Sequence, residues 1–170
     1  PTRTALPDGN RLAPRTPDGN LCGLPSGATT ISTRGGNTPM YGKSSSTALG
    51  GTNPDNQIVL SGIYSGINSS YSVNSGTGSI YMNGIGNSTN TVNISDAIRL
   101  NGGTMTSSAT SGTAIELVGD ASAVSGNDET SGIALIARTV RSNSITATGG
   151  GDNVMTGEGG VATSLTENNN

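Results

Sequence analysis

The chain has 170 residues, 27 of them glycine, a net charge of −3, and neither histidine, tryptophan nor phenylalanine. That length fits one domain or one domain plus an arm, and four tyrosines as the sole aromatics cannot fill a wide globular core. Charged residues at 11% are too few for a solvated disordered chain, which usually carries high net charge, and the acidic balance argues against nucleic acid as a partner.

The first 57 residues hold most of the prolines and repeat Pro-Asp-Gly-Asn at 7–10 and 17–20, each a good type I turn. We read 1–57 as a Pro/Gly-rich arm, expected to pack on the rest of the domain or on a neighbouring subunit. Cys22 stands alone, so an intramolecular disulfide is impossible, and one Cys without His cannot build a metal site. A buried thiol is the favoured reading. No signal-peptide pattern precedes the arm, and a start at Pro1 reads as a processed product or an excerpt of a longer chain. No run of about 18 apolar residues exists to cross a membrane, and no membrane insertion is expected.

From residue 58 a pattern recurs. "SGIYSGI", "GSIYMNGI", "SDAIRLNGG", "GTAIELVGD" and "SGIALIAR" place Ile63, Ile80, Ile98, Ile115 and Ile133 at intervals of about 17 to 18 residues, and "DNVMTGEGG" offers Val154. One strand signature per period of roughly 20 residues is the mark of a solenoid. Within each unit the residue after the isoleucine is variable and mostly polar, and the next is apolar in most units. In a strand these positions alternate between the two faces. The expected core ladder is Ile63, Ile80, Ile98, Ile115 and Ile133 alongside Met82, Leu100, Leu117 and Leu135. Taking one unit per rung, Arg99 lies beside Glu116 and Tyr64 beside Tyr81 as exposed pairs. Gly66, Gly84, Gly102 and Gly119 read as left-handed corner residues. A second apolar cluster follows at Val73, Val92 with Ile94, Met105, Val124, and Val140 with Ile145. The predicted fold is all-β: a parallel β-solenoid of about five to six coils over 58–161, with a polar tail over 162–170.

"GTAIELVGDASAV" and "SDAIRLNGGTMT" resemble coils of the right-handed parallel β-helices of bacterial surface (autotransporter-type) passengers. The shafts of phage tail fibres and tailspikes are similar. The resemblance covers about residues 58–160 and rests on periodic pattern. It implies an extracellular protein on a cell or virion surface.

Little in the chain promises catalysis. Without histidine the Ser-His-Asp arrangement is absent, and Lys43 in "YGKSSST" reads as a loop residue. Asp96, Glu116, Asp120, Asp128 and Glu129 are the carboxylates to weigh, because paired Asp and Glu cleave glycosides. In the assumed register Glu116 faces Arg99, which suits it badly as a general acid, while Asp120 sits at a turn where Asp bonds its own backbone. "GGGDN" at 149–153 is a single imperfect likeness of a calcium-binding repeat. The Thr positions of "GTMTSSATSGT" look scattered over successive units, which speaks against a flat hydroxyl face. No enzymatic activity, catalytic residue, metal or cofactor is expected. The expected role is structural or adhesive: a unit that associates with copies of itself as a homo-oligomer or filament, within an extended surface fibre. A tail-fibre or tailspike segment binding a surface glycan is the second reading, and a polysaccharide-cleaving enzyme the third.

Overall fold

A computed structural model describes residues 23–24, 29–44, 51–52, 58–59, 61–65, 70–87, 94–125, 129–137 and 141–161. Among them every regular element is a strand. The first three are β1 (Gly23–Leu24), β2 (Thr29–Ser32) and β3 (Thr38–Lys43). A short antiparallel ribbon follows, β4 (Gly51–Thr52) with β5 (Ile58–Val59). Then come β6 (Ile63–Ser65), β7 (Tyr71–Asn74) and β8 (Ile80–Ile85), and β9 (Ile98–Asn101), β10 (Gly103–Ser107) and β11 (Thr113–Asp120). The last triplet is β12 (Ile133–Ile136), β13 (Asn143–Ala147) and β14 (Asp152–Glu158).

Each triplet contributes one strand to each of three sheets. Sheet I runs β1-β6-β9-β12, sheet II β2-β7-β10-β13 and sheet III β3-β8-β11-β14. Every pairing within them is parallel. The chain therefore visits the three sheets in a fixed order four times, and each visit lies beside the previous one.

The register corrects the expected repeat. Ile63 pairs with Ile98 and Ile98 with Ile133, whereas Ile80 pairs with Ile115. One circuit is thus the step from 63 to 98 to 133, or 35 residues, twice the interval seen in the sequence. Successive isoleucines alternate between sheets I and III instead of climbing one ladder. The two sheets carry the same local pattern because a strand covered on one face needs the same alternation wherever it sits. The unbroken run Ile98, Ile115, Ile133 does not exist. The extent of the sheets is corrected too: they begin with β1 at residue 23 and not at 58. Cys22, the two Pro-Asp-Gly-Asn turns and the tail 162–170 lie outside the described residues.

All three sheets face one apolar cluster. It includes Ile31, Val73 and Met105 from sheet II, Ile63, Ile98 and Leu100 from sheet I, and Met40, Ile80, Met82, Ile115 and Leu117 from sheet III. Ile31, Val73, Met105 and Ile145 form one column, so part of the second apolar cluster is a ladder of its own. Val92 and Val140 are outside the described residues. Burying each aliphatic is worth about 1.5–3 kcal/mol, and stacking like on like allows this without large aromatics. Two expected ladder members depart from the pattern. Leu135 is 39% exposed and Ile133 only half-buried, because β12 is the outermost strand of sheet I and no described strand lies beyond it.

Glycine serves this fold chiefly through its missing side chain. Gly102, between β9 and β10, does take a positive φ of 63°, as the corner reading expects. Gly84 and Gly119 do not; they sit inside β8 and β11, paired with one another and with Gly42 and Gly157. A Cβ on Gly84 would collide with the carbonyl oxygen of Ala97, and one on Gly119 with that of Gly132. This glycine column lets the ends of the sheet III strands lie against the segments that enter sheet I. Gly66 is outside the described residues.

Candidate functional site

Two places gather polar side chains, one sealed and one open. The sealed one lies at the entry to sheet I. Asp96 is completely buried and Arg99 is 5% exposed. Arg99 Nη1 donates to Asp96 Oδ2 and to Glu129 Oε2, both at 2.8 Å. The Ser131 backbone N–H donates to Asp96 Oδ1 at 2.8 Å. Ser131 enters sheet I one circuit after Asp96, and Ile94 bridges Glu129 in parallel, so the cluster ties two circuits together. Burial is the largest influence on Asp96 and raises its pKa, against the pull of Arg99 and the Ser131 N–H. Arg99 is also buried, which favours its neutral form, but the two carboxylates outweigh that and hold it charged.

This arrangement corrects the expected cross-rung pairs. Arg99 stacks between Tyr64 and Ala134, and Glu116 stacks between Tyr81 and Val154. Arg99 and Glu116 belong to different sheets, as do Tyr64 and Tyr81, so neither pair forms. Arg99 is not exposed either, because its guanidinium folds back onto Asp96. Asp96, locked under an arginine and shut from solvent, is badly placed to shuttle protons. Asp120 accepts from the N–H and hydroxyl of Ser122 at 2.9 and 2.6 Å, which lower its pKa, in keeping with the turn role read from sequence. Asp128 is outside the described residues. Among the described residues no group of three potential ligands is placed to hold a metal.

The open place is the outer face of sheet III. By register, its rungs carry Pro39, Tyr41 and Lys43; Tyr81, Asn83 and Ile85; Glu116, Val118 and Asp120; Val154, Thr156 and Glu158. Tyr41 is 54% exposed. Its ring meets that of Tyr81 edge-to-face, centroids 5.6 Å apart and planes at 61°. Asn83 Nδ2 donates to Tyr81 Oη at 3.0 Å. Sequence reasoning put Tyr41 in the arm and so separated it from Tyr81; a step of 42 residues between equivalent positions of β3 and β8 hid the relation.

The outer face of sheet II reverses another expectation. Thr30, Ser72, Thr104 and Ser144 stack in one row, and Ser32, Asn74, Thr106 and Thr146 in the next. The hydroxyls look scattered at a step of about 18, and line up at the true step. They partly satisfy one another, Thr104 with Ser72 at 3.4 Å and Ser144 with Thr146 at 3.3 Å.

No known protein family, curated protein or solved structure matches the chain. No helix among the described residues is long and apolar enough to cross a membrane.

Proposed function

We propose that the chain is a segment of a β-solenoid rod in an extended fibre on a cell or virion surface, with a structural and adhesive role. The rod is made by one polypeptide winding through three sheets, and it grows by adding circuits along the stack. The supporting observation is the state of the last circuit. Leu135 of β12, Val154 and Met155 of β14, and Val161 are 39%, 38%, 47% and 66% exposed. Three parallel strand edges and an apolar cross-section lie open together there, and unprotected edges invite pairing with further strands. A further parallel circuit, from another copy of the chain or from additional polypeptide, is the natural cover. Extracellular placement follows from the rod reading and from the resemblance to surface passengers.

Light scattering and negative-stain electron microscopy across a wide concentration range test this. Rods or end-to-end particles whose length grows with concentration are expected. Monomer alone at every concentration would reject self-association, and a compact trimer with a three-fold axis would favour the tail-fibre alternative. A reducing-sugar assay on soluble polysaccharides is expected to give no product; release of reducing ends would favour the enzyme.

A further inference from the structure

We infer that the outer face of sheet III, centred on Tyr41, binds an extended, uncharged, β-linked glycan chain. Three features of that face select the ligand. First, Tyr41 offers an aromatic surface that is 54% exposed, and Tyr81 braces it edge-on at 5.6 Å. A ring already held in place loses little freedom on binding, and the C–H face of a pyranose is the apolar surface that stacks on such a ring. Second, polar groups flank it in register. Tyr81 Oη accepts from Asn83 Nδ2, which leaves the phenol proton and the Asn83 carbonyl oxygen for sugar hydroxyls. Glu116 lies one rung further, beside Tyr81, and its carboxylate accepts from hydroxyl donors.

Third, charge and shape narrow the class. Glu116, Asp120 and Glu158 share the face with a single Lys43, so polyanionic glycans are repelled. The rungs lie about 4.8 Å apart, close to the length of one pyranose unit. A flat β-linked ribbon laid along the stack therefore meets one rung per sugar, whereas a coiled α-linked chain does not. This site sits on the side of the stack and is independent of its open end. A monomeric particle would defeat the rod proposal and leave this one standing.

The test is titration with cellohexaose, followed by calorimetry and by tyrosine fluorescence, which no tryptophan obscures. Saturable binding is expected. Tyr41→Ala should weaken it at least about ten-fold, while Tyr41→Phe keeps it and so separates the role of the ring from that of folding. Glu116→Gln should weaken it less, and Thr104→Ala on sheet II should leave it unchanged. No binding at millimolar cellohexaose, equal affinity of the Tyr41→Ala protein, or preference for maltohexaose or heparin would each overturn the inference.

Discussion

Met155 lies in register with Leu117, one circuit on in the same column, yet Leu117 is fully buried and Met155 is 47% exposed. Equivalent positions thus carry unequal weight. Leu117→Ala is expected to cost about 2–5 kcal/mol, as for a core cavity, and Met155→Ala less than about 1 kcal/mol, both by urea denaturation of the dilute chain. In the rod, Met155→Lys should block end-to-end growth while leaving the midpoint of the dilute chain nearly unchanged. Growth of this variant at the wild-type rate would place the contact elsewhere.

Substitution along the glycine column should rank by the space behind each residue. A Cβ on Gly119 has the Gly132 carbonyl in its way, whereas one on Gly157 finds its nearest neighbour, the Ile133 nitrogen, at 3.2 Å. Gly119→Ala is expected to destabilise by about 1–3 kcal/mol or more through overpacking, and Gly157→Ala distinctly less. Thermal unfolding followed by circular dichroism measures both, and equal losses would contradict the close approach.

The ion pairs give a direct check on register. A double-mutant cycle on Arg99 and Asp96 should return a coupling energy within the range of about 0.5–3 kcal/mol found for contacting residues. The cycle on Arg99 and Glu116 should return none beyond the usual additivity error of about 0.3–0.5 kcal/mol. Coupling of the second pair would restore the shorter repeat.

Asp96 supplies a pH dependence of defined sign. Its pKa is raised in the fold, with burial the largest cause, so the folded chain holds the proton more tightly than the unfolded one. Stability from that group is fully present below the unfolded value of about 3.9 and is lost as pH rises through the higher folded value. The charged groups facing it are Arg99 and Glu129. The stability of wild type relative to Asp96→Asn should therefore fall as pH climbs upward from about 4. A wild type that gains on the variant would show that Arg99 outweighs burial.

Class and pairing sense were legible in the sequence, because alternation and corner glycines are local. The alternation at Ile98–Leu100 and Ile115–Leu117 announces strands covered on one face, and each does sit in a parallel sheet. What local pattern cannot reveal is which strand lies beside which. Sheets I and III bury the same residue types, so a half-circuit and a whole circuit leave the same trace of isoleucines. Side chains on the outer faces break the tie: Thr104 matches Ser72 and Ser144 at the longer step, a regularity that a search restricted to apolar residues passes over. The Asp96–Arg99–Glu129 cluster was hidden for a related reason. Its third member comes from the next circuit, and a register wrong by half a circuit sends Arg99 to Glu116 instead.

The antiparallel ribbon β4–β5 shows where such a chain stores excess length. Passing from β3 to β8 takes more residues than passing from β8 to β11, and this ribbon falls within the longer stretch, between sheets III and I, while β3 and β8 still pair without a shift. Corners are thus ports at which evolution or an engineer can graft a peptide onto the flank, with the stacked strands on either side keeping their pairing.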